Sequence, residues 1–219
     1  MKTGDENKKL RIGCVVMAAG SASRFGENKL VADLYGKTLI SRALDAVPSE
    51  KLEAVCVVTG YDEVEKLAQS YGFRCVRNDC PGEGISRTVR LGTEALQGEC
   101  GAILYLVSDQ PLLRRESVAL LLAFFRANPD RIVAASHAGE RGNPCVFPAK
   151  YYPELCALKG DTGGGGVIRA HEDDLLLFEL DEKELLDADT KESLHKLKNV
   201  SPQDPVSFSL RTACPPEEE

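Results

Sequence analysis

What the chain has little of narrows its chemistry first. It has no excess of basic residues: 27 Lys and Arg stand against 34 Asp and Glu, for a net charge of −7. No cationic stripe is therefore available to displace counterions from a nucleic acid. No apolar run approaches the roughly 20 residues that span a bilayer. Met1 to Arg11 is polar and lysine-rich, without the apolar centre of a signal peptide. The reading is a cytoplasmic protein with neither nucleic-acid nor membrane partners, a monomer or weak dimer. The eight cysteines include no C-x-x-C pair. Cys14, Cys56 and Cys145 lie in apolar runs, where a thiol serves as a small hydrophobe. Reduced thiols are thus expected rather than disulfides or a metal cluster. His137, His171 and His195 share no ligand spacing, and no internal repeat is present.

What is there centres on Val15 to Leu30. An apolar run, Ile12 to Met17, reads as a buried strand. It gives way to Ala18-Ala19-Gly20-Ser21-Ala22-Ser23-Arg24-Phe25-Gly26-Glu27-Asn28-Lys29. Small residues let backbone N–H groups approach an anion closely, and Arg24 and Lys29 add the charge that a polyphosphate requires. Two familiar phosphate loops are excluded. Glu27-Asn28 separates Gly26 from Lys29, which breaks a Walker A loop, and Gly20 to Gly26 keeps only the outer frame of G-x-G-x-x-G. The stretch reads as a nucleoside triphosphate site at the carboxyl end of the first strand.

The rest of the chain reads as alternating strands and helices. Thr38 can cap a helix through Leu39, Ala43 and Val47, which Pro48 closes. Ala54–Gly60 and Phe73–Val76 are further strands around a helix from Asp62 to Gly72. A second glycine-bearing loop, Asn78 to Ser86, leads into a helix that Ser86 is expected to cap. Gly101–Val107 is the most hydrophobic strand and runs into Ser108-Asp109-Gln110-Pro111. A carboxylate at the end of a central parallel strand sits where open α/β sheets bind ligands, and it suits Mg²⁺. A helix from Arg115 to Ala127 and a strand from Arg131 to Ser136 follow. His137 to Pro144 reads as a hairpin connection into Cys145–Pro148, and Tyr151 opens another helix. Four consecutive glycines, Gly163 to Gly166, are costly to order unless their backbone lies close to something. A last strand, Leu175–Leu180, precedes a short helix capped by Thr190 or Asp189. Runs without period-2 alternation, each followed by a helix, predict a parallel sheet covered on both faces. Residues 1–10 read as a polar extension, 11–198 as one domain, and 199–219 as an unstructured tail.

Together these pieces resemble the MobA-like nucleotidyltransferase family, in particular its molybdenum cofactor cytidylyltransferase branch. The resemblance rests on Met17-Ala18-Ala19-Gly20-Ser21-Ala22-Ser23-Arg24-Phe25-Gly26-Glu27-Asn28-Lys29, Gly82-Glu83-Gly84-Ile85-Ser86, Ser108-Asp109-Gln110-Pro111, Gly142-Asn143-Pro144 and Asp187-Ala188-Asp189-Thr190. It implies an α/β, three-layer, Rossmann-like nucleotidyltransferase fold with a mostly parallel mixed sheet. It also implies transfer of CMP from CTP to the phosphate of a molybdopterin-type cofactor, with pyrophosphate released. Arg24, Lys29 and Asp109 would be catalytic. Ala18, Ala19, Gly20, Ser21, Gly84 and Ser86 would join them around the nucleotide, and Asp109 and Asp189 would hold Mg²⁺. Asn143, Pro144, Asp161 and Gly163 are the acceptor-side candidates, and a molybdenum hydroxylase apoenzyme is the implied partner. Gly164-Gly165-Gly166 replaces the family's G-A-R segment and removes an expected arginine from the acceptor side. The rival readings are the same transfer onto a sugar phosphate or isoprenoid precursor, and a catalytically silent nucleotide-binding accessory protein for a molybdenum hydroxylase.

Overall fold

The structure, a computed structural model, describes residues 10–20 and 28–199. Seven strands form one sheet. β1 (Ile12–Ala18) is an inner strand, with β4 (Ala54–Thr59) on one side and β6 (Ala102–Val107), the middle strand, on the other, both parallel to it. β5 (Arg74–Arg77) extends the β4 edge. Beyond β6 come β8 (Glu140–Pro148), β7 (Ile132–His137) and β9 (Leu175–Glu179). β8 runs antiparallel to both neighbours, whereas β7 and β9 are parallel to each other. A two-residue ribbon, β2 (Asp33–Leu34) and β3 (Lys37–Thr38), stands apart from the sheet.

The strand sequences explain the layering. Along β1, Cys14, Val16 and Ala18 face one core, which is shared with α1 (Leu39–Asp45), α2 (Asp62–Ser70) and α4 (Arg115–Ala127). Val15 faces the other core, with α3 (Ile85–Leu96), α5 (Tyr152–Ala157) and α6 (Gly165–Ala170). A strand buried on both faces has no polar alternation, which is why these segments read as continuous apolar runs. The result is the three-layer, mostly parallel mixed sheet expected from the sequence. A satellite core of Leu34, Leu39, Ala188, Leu194 and Leu197 ties α7 (Lys191–Leu197) to the β2–β3 ribbon. No helix among the described residues is long and apolar enough to cross a membrane.

Most boundaries match the sequence reading within one or two residues, and three local expectations change. The hairpin turn between β7 and β8 is only Ala138-Gly139, both at positive φ, as two-residue hairpins require. Asn143-Pro144 is therefore part of β8 rather than of a connection. Ser86 does not cap α3; Gly84 does, at φ 86°, and Ser86 is the helix's second residue. Thr190, not Asp189, caps α7, through a reciprocal pair with Ser193. Thr38 caps α1 as expected, accepting from the Ser41 N–H. The polar extension before Leu10, residues 21–27 and the tail from residue 200 lie outside the described residues.

Candidate active site

Parallel strands deliver their carboxyl ends to one edge of the sheet, and the site is assembled there. Ser108, just past β6, donates to the Met17 carbonyl at 2.8 Å and fastens the ends of β6 and β1 together. Asp109 follows at once. Its carbonyl accepts from the Ala188 N–H at 2.8 Å, so a segment 79 residues further along the chain is pinned against it. That segment brings Asp189. Lys29 arrives from the opposite direction, on a single 3₁₀ turn (Lys29–Val31) whose cap, Asn28, accepts from the Leu30 N–H. Asn28 also donates to Glu63 at 2.8 Å, which moors the turn to α2.

These three anchors place the Lys29 ammonium 2.8 Å from Asp109 Oδ2 and 3.1 Å from Asp189 Oδ1. Burial pulls the Lys29 pKa down, but the charges of Asp109 and Asp189 and their hydrogen bonds outweigh it, so the ammonium is held above its ordinary value. Asp187 sits behind the pair. Burial first, then Asp109, push its carboxyl up to about 6, against a hydrogen bond from Gln110. Between the ordinary carboxylate range and about 6 the folded chain thus holds a proton that the unfolded chain has shed. Asp187 therefore favours the fold at acid pH, and that contribution declines as pH rises through this window.

Beside this constellation lies a cleft of about 260 Å³. Ala19 and Gly20 line it from the end of β1, Lys29 and Asp109 from one side, and Gly84, Ile85 and Thr88 from the start of α3. Gly84 is required there twice over. Its positive φ disfavours a side chain, and a Cβ would come within 2.4 Å of the Gly160 carbonyl group. This contact, with the Ser86 N–H donating to the Gly160 oxygen at 3.1 Å, draws the loop after α5 onto α3 and brings Asp161 to the cleft wall.

The residues expected from the sequence divide accordingly. Ala19, Gly20, Lys29, Gly84, Asp109 and Asp161 line the cleft; Ala18 is buried at the end of β1. Asp189 reaches it through Lys29. Gly163 packs beside Ile85, one residue back from the cleft wall. Asn143 and Pro144 lie in β8, next to β6, and do not line the cleft. Ser86 is 3% exposed and does not face the cleft either. Ser21 and Arg24 lie outside the described residues.

Residue 88 is what the sequence reading missed. Thr88 lines the cleft, and its Oγ1 accepts from Asn78 Nδ2 at 3.2 Å. The signal was present, since Ile85 and Thr88 are three residues apart and must share a helix face.

Residues 14–175 match the MobA-like NTP transferase domain. The chain belongs to that family. Among curated members, it is 28% identical over 199 residues to the purine catabolism protein PucB of Bacillus subtilis, covering 85% of this chain and 95% of PucB. It is also 28% identical over 142 residues to a molybdenum cofactor guanylyltransferase of Shewanella, covering 64% and 70% of the two chains. Among solved structures, a nucleotidyl transferase from Methanothermobacter superposes with a TM-score of 0.73 at 23% identity, over 86% of this chain and 96% of that one. The CTP complex of CMP:2-keto-3-deoxy-manno-octonic acid synthetase superposes with a TM-score of 0.67 at 15% identity, over 86% and 97%. At such identities the structures attest the fold alone.

For this family member, the donor set at Lys29 suits a hard divalent cation. Asp109 and Asp189 already share one positive charge. No group of three or more His, Cys, Asp or Glu stands ready for a metal among the described residues. Two carboxylates completed by water and substrate phosphates is how Mg²⁺ is usually held, rather than in an all-protein cage.

Proposed function

We propose that this chain transfers CMP from CTP to the phosphate of a molybdopterin-type molybdenum cofactor, releasing pyrophosphate. The observation that carries the reading is the Lys29 ammonium bridging Asp109 and Asp189 on the wall of the cleft. An enzyme of this class needs little covalent chemistry from its protein, so positioning and charge neutralisation do most of the work. An acceptor phosphate oxygen is already anionic and needs no general base. It forms a bond to the α-phosphorus of CTP as the bond from that phosphorus to the β-phosphate's bridging oxygen breaks.

Asp109 and Asp189 would hold Mg²⁺, which supplies charge neutralisation at the phosphate oxygens. Lys29 would then turn from the carboxylates to the triphosphate and meet the charge that develops on pyrophosphate. Arg24 is proposed for the same role. The small residues Ala18 to Ser21 are proposed to let backbone N–H groups approach the phosphates. Ala19 lines the cleft, and on the resemblance Ala18-Ala19-Gly20 goes with a pyrimidine base. A molybdenum hydroxylase apoenzyme is the proposed recipient of the product, on the resemblance alone.

The test is pyrophosphate release with each of CTP, GTP, ATP and UTP, with molybdopterin cofactor and Mg²⁺. Release with CTP alone, lost in Asp109→Ala, supports the proposal. Release with GTP in its place overturns the base assignment, and none with any nucleotide overturns the reaction. The same assay reads the proposed contact of Thr88 with the nucleotide. Thr88→Val is expected to raise KM for CTP roughly fivefold with kcat nearly kept. One hydrogen bond of about 1 kcal/mol, equal in ground and transition states, moves binding alone.

A further inference from the structure

In an acidic chain most arginines find an oxygen partner. Arg114 binds the Glu184 carboxylate and Arg87 that of Glu83. Arg141 and Arg169, like Arg11, have no such oxygen partner among the described residues, although Arg141 interacts with the Cys145 thiol. Yet they converge. The point where a side chain would start on Gly165 lies 3.1 Å from Arg141 Nη2 and 3.6 Å from Arg169 Nη1. Two guanidinium groups of like charge thus flank the open face of Gly165.

The glycine run is what makes the spot. A Cβ on Gly164 would meet the Phe147 ring at 2.9 Å, and one on Gly166 would meet Thr162 at 2.7 Å. Both neighbours are pressed onto side chains, while Gly165 faces the guanidinium pair. The costly ordering of these glycines is explained by this close packing, as the sequence led one to expect. The pair is also placed where an acceptor would come. Arg141 stands near the start of β8 opposite Ser136, at the edge of the sheet that carries Asp109. Gly163 packs on Ile85, which lines the cleft, and Asp161 lines it as well.

We infer that Arg141 and Arg169, with the open Gly165 backbone between them, form an oxyanion subsite that takes an anionic group of the acceptor. The identification of its occupant with the acceptor rests on the proposed function; the site itself does not. Guanidinium forks match tetrahedral phosphate and planar carboxylate alike, so the shared chemistry is an oxyanion.

The experiment follows the Arg Nε–Hε signals by NMR, assigned with Arg141→Gln and Arg169→Gln, in the full chain saturated with Mg·CTP. With the triphosphate site occupied, inorganic phosphate is titrated in, then acetate, each against sodium chloride of equal ionic strength. The expected result is that both signals move together on one saturating curve. Either substitution should weaken that curve at least fivefold while calorimetry shows unchanged Mg·CTP affinity. An equal response to acetate assigns a carboxylate-tolerant site; response to phosphate alone assigns a phosphate site. Signals that move no further than in the chloride control, with Mg·CTP still bound, overturn the subsite and leave the nucleotide reading intact. Failure of Mg·CTP to bind, with phosphate still moving both signals, overturns the nucleotide reading and leaves the subsite standing.

Discussion

Replacing Lys29 by alanine is expected to lower the rate of pyrophosphate release by about 10²- to 10³-fold, the range found when one pre-placed transition-state donor is removed. The loss should fall on kcat more than on KM. The ammonium is held by Asp109 and Asp189 before substrate arrives, so its contact with phosphate gains most when leaving-group charge develops. A second result separates this account from simple misfolding. Without Lys29, the two carboxylates face each other with no cation between them. Their affinity for Mn²⁺ in the absence of nucleotide should therefore rise, while the rate falls. Calorimetry with Mn²⁺ reads the first, a coupled pyrophosphate assay the second. A variant that loses rate but gains no metal affinity would show that Lys29 does not occupy the cation's place.

The convergence behind that prediction was only half legible in the sequence. Buried parallel strands announce themselves by unbroken apolar runs, so β1, β4 and β6 and the loops at their carboxyl ends could be placed by reading. Asp109 follows from that because it stands just past β6, and Lys29 because it closes the loop that leaves β1. Asp189 came through resemblance; nothing local says that a segment near the end of the chain returns to the Asp109 carbonyl. The α3 assignments failed for a physical reason. Serine is a good cap by propensity, and only the contact of Gly84 with Gly160 shows that the helix starts two residues earlier. Once Ile85 is the first helical residue, Ser86 turns into the core and Thr88 turns to the cleft. Asn143-Pro144 was misplaced in the same way. A turn of Ala138-Gly139 is shorter than its polar flanks suggest, and the extra residues become strand. Arg141 and Arg169, 28 residues apart, meet only because the glycine run lets α6 press against β8.

The segment that returns Asp189 to the site is held by one carboxylate, and removing it should unsettle fold and site together. Glu184 is 2% exposed and accepts from three donors: the Arg114 N–H and Ser117 Oγ at 2.9 Å each, and Arg114 Nη2 at 2.9 Å. Arg114 and Ser117 stand at the start of α4, directly after the turn that carries Asp109. Glu184 thus locks the approach to Asp187 and Asp189 onto the same platform as Asp109. Next to it, Gln110 donates to the Leu185 carbonyl at 3.2 Å and closes the lock from the other side. Glu184→Ala leaves a charged and two neutral donors without their acceptor, at a cost of about 3–5 kcal/mol for breaking a buried pair from one side. In a chain of this size that corresponds to a fall in Tm of roughly 10 °C. Glu184→Gln keeps the volume and one acceptor oxygen and should lose about half as much. Well below either Tm, the alanine variant should still need more Mg²⁺ for half-maximal rate, because Asp189 is no longer held against Asp109. A variant of full stability would show that α4 and the Glu182–Leu185 turn are fixed by their apolar contacts alone. One that is destabilised but keeps the native Mg²⁺ requirement would show that Asp189 takes its place without this anchor.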